Sequence, residues 1–201
     1  MNIEFLGANC RGRQAAEDHI SRVYKSAFGA EISDFAPLLA VALRADGEIL
    51  CAAGIQTAQD GFFSEGYLPG SISQALWARA GITVPESQIM EVVSLASTTP
   101  FPVLPLMDAM MDWGRENGMT CGVFTATRPL RRLLKRTGLT YLELAKADVS
   151  KVARPKAWGT YYDTDPTVCA FSEVLGVPAF LSPRKPMPQT QTQTQLQLKA
   201  I

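Results

Sequence analysis

Apolar side chains recur along the chain at two spacings: every second residue, as in strands, and every third or fourth residue, as in helices. Two stretches with the strand spacing, 38–44 and 49–56, are joined by Ala45-Asp46-Gly47-Glu48. Asp-Gly favours a tight hairpin, so we expect these strands to pair antiparallel. The same patterns predict further strands at 3–6, 88–97, 121–125 and 141–147, helices at 14–28, 106–117 and 128–137, a helix at 65–80 that Pro69-Gly70 interrupts, and extended chain at 158–171.

The order of these elements indicates the fold class. An antiparallel hairpin comes first, and strands and helices alternate after it, which is typical of an α+β fold with a mixed central sheet flanked by helices. With 201 residues and 47% hydrophobic side chains, the chain can bury the core of a single domain, which we place at 1–181. Residues 182–201 are rich in Pro, Gln and Thr and predict a disordered tail.

Charge and hydropathy argue against several classes of protein. Nineteen basic and nineteen acidic residues give a formal net charge of zero, which is unlike a general nucleic-acid binder. Residues 1–6 lack the pattern of a signal peptide, and no apolar run approaches the roughly 20 residues of a membrane helix. We therefore expect a cytoplasmic protein without a transmembrane segment.

The cysteines and the single histidine predict neither a metal site nor a nucleophilic catalyst. No C-x-x-C pair occurs, so we expect reduced thiols in the core rather than disulfides or zinc ligands. His19 stands among acidic residues in the first predicted helix, and we expect it on the surface, away from any Ser/His or Cys/His pair. The four cysteines are Cys10, Cys51, Cys121 and Cys169.

One helix carries a local concentration of positive charge. It follows a strand that ends near Thr127, has Pro129 in its first turn, and ends at Gly138. A basic helix face suits an acidic or phosphorylated partner, although it is also typical of a solvated face on an ordinary amphipathic helix. The cations recur at i, i+3, i+4, i+7 and i+8 and so share one predicted face: Arg128, Arg131, Arg132, Lys135 and Arg136.

Five short motifs, taken in order, resemble the bacterial thermostable hemolysin family. The resemblance covers residues 14–168 and excludes the tail. That family is similar in fold to the GCN5-related N-acyltransferases (GNAT) and to the acyl-homoserine lactone synthases, which transfer an acyl group from a thioester. The motifs are Phe62-Phe63-Ser64-Glu65-Gly66-Tyr67-Leu68, Glu91-Val92-Val93-Ser94-Leu95-Ala96-Ser97, Val123-Phe124-Thr125-Ala126-Thr127 with Leu130-Arg131, Leu144-Ala145-Lys146-Ala147-Asp148, and Trp158-Gly159-Thr160-Tyr161-Tyr162.

The resemblance implies a GNAT-like acyltransferase fold and an N-acyltransferase activity. It would move an acyl group, expected to be a fatty acyl group, from an acyl carrier protein or coenzyme A thioester to a small amine, with no bound cofactor and no metal. A methionine-rich segment around Met107 and Met110 suits a lipid tail, but such a segment more often only packs in the core. The alternative is a non-enzymatic, membrane-active protein that binds lipid, against which stand the neutral net charge and the lack of a secretion signal.

The family pattern singles out two candidate catalytic residues. Glu91 begins an otherwise apolar strand, where partial burial would raise its pKa into the range of a general base. Tyr161, or its neighbour Tyr162, is a candidate for the acid that reprotonates the leaving thiolate. The alternatives are that Glu91 faces solvent at a strand edge and that Tyr161 only packs in the core.

Further residues are predicted to bind the two substrates. Glu65 and Tyr67 lie in the interrupted helix, which would cover the acceptor pocket, or they are structural. Ser94 is a candidate for substrate binding but not for a nucleophile, and Thr125 and Thr127 lie where a splayed sheet would admit the pantetheine arm. The donor is expected to meet Arg128, Arg131 and Arg132.

Residues 97–102 depart from the pattern of related acyltransferases. Many of those enzymes have a Gly-rich loop whose N–H groups hold the pyrophosphate of coenzyme A, whereas this chain has Ser97-Thr98-Thr99-Pro100-Phe101-Pro102. Prolines lack the N–H donor, so we expect a preference for acyl carrier protein over coenzyme A as the donor. Gln56 and Ser64 also depart from the family pattern, which expects an arginine and an apolar residue there.

Overall fold

A computed structural model describes residues 1–172 and residue 175. The predicted tail, 182–201, lies outside the described residues. Seven strands form one mixed sheet in the order β1-β2-β3-β4-β5-β7-β6, with β4 and β5 parallel and every other neighbouring pair antiparallel. The strands are β1 (Asn2–Leu6), β2 (Leu38–Leu43), β3 (Ile49–Thr57), β4 (Ile89–Ser97), β5 (Cys121–Ala126), β6 (Leu142–Lys146) and β7 (Thr167–Ser172).

Helices cover both faces of the sheet. Helix α1 packs with Ala16, Ile20 and Tyr24 against the side chains of β2 and β3 that point to one face. Helix α3 packs with Leu106 and Met110 against the alternate side chains of the same strands, so successive residues of each strand enter opposite cores. The helices are α1 (Arg13–Phe28), α2 (Ile72–Ala80), α3 (Val103–Glu116) and α4 (Arg128–Arg136).

The sequence-based elements are largely confirmed, including the hairpin of β2 and β3. The interrupted helix is a 3-10 turn, Phe63–Tyr67, followed by α2. Helix α3 begins three residues earlier than predicted, at Val103, because Pro102 and Pro105 fall at its cap and in its first turn, where no N–H is needed.

The prediction of extended chain at 158–171 is wrong for its first half. Two 3-10 turns, Pro155–Trp158 and Tyr161–Thr164, precede β7. Trp158 and Tyr161 contact each other with ring centroids 5.3 Å apart, and Tyr161 also contacts Tyr24 and Phe28 of α1. This aromatic packing, rather than strand pairing, determines the path of the segment.

Two expectations about single residues are also wrong. His19 lies on the buried face of α1 rather than on the surface, and burial lowers the pKa of its imidazole. Cys10 is exposed, whereas the other three thiols lie in the core as expected. The spacing of apolar residues did not predict that His19 is buried, because the buried face of α1 is wider than its apolar residues alone indicate and includes polar side chains.

Candidate functional site

Strands β4 and β5 separate part-way along their length and leave a gap in the sheet. Their pairing runs from Ile89 opposite Cys121 to Val92 opposite Phe124 and then stops. Beyond it, Ser94 adopts a φ of 52°, a left-handed conformation uncommon for a residue with a Cβ. The register with β3 shifts at the same place, so β4 bulges and bends away from β5.

The larger of two cavities lies on the α3 and α4 side of this gap. Its volume is about 1170 Å³. Its walls are mostly apolar and include a cluster of methionine and leucine side chains: Met107, Met110, Met111, Leu130, Leu133 and Leu134. Flexible methionines adapt to unbranched apolar chains, so this cavity suits a long hydrocarbon ligand.

The smaller cavity lies against the opposite face of the sheet and differs in chemistry. Its volume is about 570 Å³, and aromatic side chains and carboxylates line it, including Phe63, Tyr67, Glu91 and Trp158. The two cavities meet at the gap, where both are bordered by Tyr24, Val92, Ser94, Thr125 and Tyr161. A side chain at this junction can contact a ligand in either cavity.

Glu91 is the fully buried acid at this site, with 0% of its surface exposed. Its Oε1 accepts hydrogen bonds from the Ser64 N–H at 2.9 Å and the Ser64 hydroxyl at 2.5 Å. Its Oε2 accepts one from the Phe63 N–H at 2.6 Å. The carboxylate therefore holds the 3-10 turn Phe63–Tyr67 against the sheet, and the expectation of a solvent-facing edge residue does not fit this burial.

Opposing effects act on the protonation of Glu91. Burial is the largest and raises the pKa of its carboxyl above the ordinary value, and the negative charge of Glu65 acts in the same direction. The hydrogen bonds from Ser64 and Phe63 oppose the rise because they stabilise the carboxylate. The net direction is upward, as a general base working near neutral pH requires.

Tyrosine side chains line the smaller cavity together with Glu91. The Tyr161 hydroxyl donates to the carbonyl oxygen of Thr125 at 3.4 Å, and burial raises the pKa of Tyr161 well above its ordinary value. Tyr161 therefore keeps its proton at neutral pH while it borders both cavities. The hydroxyls of Tyr67 and Tyr162 hydrogen-bond to each other at 2.5 Å.

Residues 7–177 match the family described as thermostable hemolysin. The chain belongs to the thermostable hemolysin family. No curated protein matches the chain in sequence.

Solved structures share the fold of this hemolysin-family chain at low sequence identity. The acyl-homoserine lactone synthase LasI superposes with a TM-score of 0.58 at 12% identity, covering 91% of this chain and 99% of LasI. FeeM, an N-acyl amino acid synthase from uncultured soil microbes, gives a TM-score of 0.55 at 14% identity, covering 84% of this chain and 94% of FeeM.

A third solved structure is BjaI, a coenzyme A-dependent acyl-homoserine lactone synthase with SAM and isopentyl-CoA. It gives a TM-score of 0.55 at 13% identity, covering 91% of this chain and 94% of BjaI. The predicted GNAT-like acyltransferase fold is confirmed.

Some predicted site residues of the hemolysin-family chain lie at the gap and others do not. Glu91, Tyr161, Tyr67, Ser94 and Thr125 border at least one cavity. Thr127 borders the larger cavity, and its hydroxyl also caps α4 by accepting from the Leu130 N–H. Glu65 borders neither cavity, because its carboxylate accepts the Ile72 N–H at 2.9 Å and so caps α2.

The basic helix α4 is divided between two environments. Arg131 is 13% exposed and bonds to Glu143 at 3.1 Å and to Asp165 at 3.0 Å, so the prediction that five cations share one open face is wrong for this residue. Arg128 and Lys135 pair with the same two acids but are 59% and 66% exposed. Within residues 1–172, Arg132 and Arg136 form no ion pair, and both are exposed.

Sequence reasoning missed Ser64 as a site residue. It is fully buried, bonds to Glu91, and its hydroxyl lies 2.8 Å from the Thr125 hydroxyl. The sequence did indicate that position 64 is unusual, because it has a small hydroxyl residue where the family pattern expects an apolar one. The sequence did not indicate that Glu91, 27 residues away along the chain, lies against Ser64.

Neither a metal centre nor a membrane span is found in the part of the chain that the structure describes. No three histidine, cysteine or acidic side chains among these residues are grouped so that they would hold a metal ion. Among the same residues, no helix has both the length and the apolar character needed to cross a membrane.

Proposed function

We propose that this protein is an N-acyltransferase that moves a fatty acyl group from a thioester to an amine. The observation that carries this proposal is the gap between β4 and β5, at which a large apolar cavity meets a smaller polar one. Two ligands that enter from opposite faces would touch only there. LasI is an acyl-homoserine lactone synthase and FeeM is an N-acyl amino acid synthase, and this chain shares their fold.

The larger cavity would hold the acyl chain of the donor. At about 1170 Å³ it exceeds the volume of most small-ligand pockets, which is roughly 300–1,000 Å³. Its methionine and leucine walls offer no specific polar contact along most of their length, as a hydrocarbon chain requires. The thioester carbonyl would then lie near Ser94 and Thr125, where the strands separate.

The smaller cavity would hold the amine. Glu91 borders it and supplies a base whose pKa burial raises, while Tyr161 supplies a protonated hydroxyl at the junction. The amine nitrogen attacks the carbonyl carbon, the new bond is an amide, and the sulfur leaves and takes up a proton. Glu91 accepts the amine's proton, and Tyr161 is suited to donate one to the thiolate.

Two features favour acyl carrier protein over coenzyme A as donor. The start of α3 offers few free N–H groups for a pyrophosphate: Pro102 and Pro105 have none, and the Val103 N–H bonds to the Pro100 carbonyl oxygen. Arg132 and Arg136, which form no ion pair with the residues that the structure describes, would meet the acidic surface of a carrier protein. A thioester donor of this kind places the reaction in the cytoplasm.

The test follows thiol release from a long-chain acyl thioester by the purified protein. We expect free thiol to appear only when a primary amine is present, in amounts equal to the amide formed by mass spectrometry. Leakage of dye from anionic liposomes without any thioester consumption would instead support a membrane-active protein and contradict the proposal.

A further inference from the structure

A row of hydroxyl groups connects the buried carboxylate to the junction of the two cavities. The Ser64 hydroxyl lies 2.5 Å from Glu91 Oε1 and 2.8 Å from the Thr125 hydroxyl. Thr125 borders both cavities, whereas Ser64 borders neither. Ser64 is therefore an internal link between Glu91 and the place where the proposed substrates meet.

Hydrogen-bond chemistry gives this row a direction. An ionised carboxylate only accepts hydrogen bonds, so the single proton of Ser64 points to Glu91. The Ser64 oxygen then accepts, which makes the Thr125 hydroxyl the donor across their 2.8 Å contact. The Thr125 oxygen keeps lone pairs with which it can accept a proton from a group in the gap.

Glu91 itself is poorly placed to take a proton directly. It has no exposed surface, and each of its oxygens already accepts at least one hydrogen bond from the Phe63–Tyr67 turn. A general base must come within hydrogen-bond reach of the proton it removes, or reach it through an intervening group. The hydroxyls of Ser64 and Thr125 are such groups.

We propose that Thr125 and Ser64 relay the proton of the attacking amine to Glu91. As the carbon–nitrogen bond forms, the amine's proton passes to Thr125, the Thr125 proton to Ser64, and the Ser64 proton to Glu91. As the carbon–sulfur bond breaks, Tyr161 donates its proton to the leaving sulfur, and the proton held by Glu91 passes back along the same row to the gap, where it restores the Tyr161 hydroxyl. The balance is one amine and one thioester consumed, and one amide and one thiol formed.

This inference rests on the proposed acyl transfer and adds the route of the proton. Thr125 is the catalytic residue that touches the amine, and Ser64 acts through it. Ser64→Ala removes only the hydroxyl and keeps the backbone N–H that holds Glu91, so the turn stays anchored. Thr125→Val removes a hydroxyl at nearly constant volume, and Thr125→Ser retains it.

The experiment measures kcat and KM of the full chain with one long-chain acyl thioester and one primary amine. Ser64→Ala and Thr125→Val are each expected to lower kcat by at least about tenfold and to change KM by less than about twofold, since the loss affects proton transfer rather than binding. The double variant is expected to be no slower than the slower single variant, because both hydroxyls serve one chain. Thr125→Ser is expected to keep kcat within about threefold of wild type.

Ser73→Ala is the matched control. The Ser73 hydroxyl donates to the Val84 carbonyl oxygen at 2.6 Å, and Ser73 borders neither cavity. The kcat of Ser73→Ala is therefore expected to equal that of wild type. Undiminished kcat in Ser64→Ala, or losses that multiply in the double variant, would overturn the relay while leaving acyl transfer intact. If Ser64→Ala does not fold, equal kcat in Thr125→Val and Thr125→Ser overturns it. Wild-type protein that transfers no acyl group refutes the proposed function instead, and the relay with it.

Discussion

The two cavities on either side of the β4–β5 gap differ in what they offer a ligand. The larger is walled by methionine and leucine from α3 and α4, and the smaller by aromatic rings and carboxylates from the loops on the opposite face. Because few residues border both, a substitution on one face should alter one substrate and leave the other unaffected. In the proposed reaction, the sheet would thus separate binding of the acyl chain from chemistry at the amine.

The largest expected effect comes from the base on the polar side. Glu91→Gln is expected to lower kcat/KM for acyl transfer by about 10²-fold, the scale of losing a general base. The substitution also places an amide NH₂ against backbone N–H donors, so unfolding free energy is expected to fall by about 1–3 kcal/mol. Steady-state kinetics and thermal melting measure the two effects.

Glu65→Gln is the matched control for Glu91→Gln. Glu65 caps α2 and borders neither cavity, so we expect its kcat/KM to stay within about threefold of wild type. A loss of activity in Glu65→Gln equal to that in Glu91→Gln would indicate that Glu65 takes part in binding the acceptor and would contradict its purely structural role.

The pH dependence of the wild type should report the same carboxyl. The proposed mechanism requires ionised Glu91, so kcat/KM is expected to fall as the pH drops through the pKa of this group, which burial holds above the ordinary 4.5. The residual activity of Glu91→Gln should lack this acid limb. If kcat/KM of Glu91→Gln still falls at low pH as in the wild type, the decrease is caused by the titration of another group.

A smaller effect is expected from the apolar side. Met107→Trp adds bulk inside the larger cavity and is expected to raise KM for a long-chain donor by about tenfold, while an acetyl donor is unaffected. Leu104→Trp, on the same helix but bordering neither cavity, serves as the control. Equal loss with both donors would mean that the cavity does not hold the acyl chain.

The smallest effect is expected at the rim, on α4. Arg132→Glu/Arg136→Glu is expected to lower kcat/KM for an acyl carrier protein donor severalfold at low salt, and the effect should shrink at physiological salt, where the Debye length is about 8 Å. The coenzyme A thioester of the same acyl chain should be less affected. A coenzyme A thioester that is the better donor in the wild type would contradict the proposed preference.

Arg131→Glu is expected to behave differently from that pair. It breaks ion pairs with Glu143 and Asp165, which are 40% and 28% exposed, and puts a negative charge beside both acids, so it should lower the melting temperature by a few degrees. Loss of carrier-protein activity without loss of stability would show that Arg131 contacts the donor after all.

Much of the fold follows from local patterns, and much of the site does not. The hairpin was predictable because Asp46-Gly47 determines the chain reversal locally, and α1 because its apolar spacing extends over several turns. Glu91 was a candidate because an acid in an apolar strand stands out in any sequence. The partners of that acid were not predictable, because Ser64 and Thr125 reach it from other elements.

By itself the sequence determined most of the elements, their class and the family, because hydrophobic periodicity and turn chemistry act between residues that are near in the chain. Only the tertiary structure decided which groups meet. The bulge at Ser94 opens the sheet, Arg131 pairs with Glu143 of β6 and with Asp165, and Ser64 joins Glu91 to Thr125 at the gap. These contacts depend on how segments that are distant in the chain pack together. The burial of a side chain in such a contact, or a hydrogen bond across it, produces no repeating pattern in the sequence.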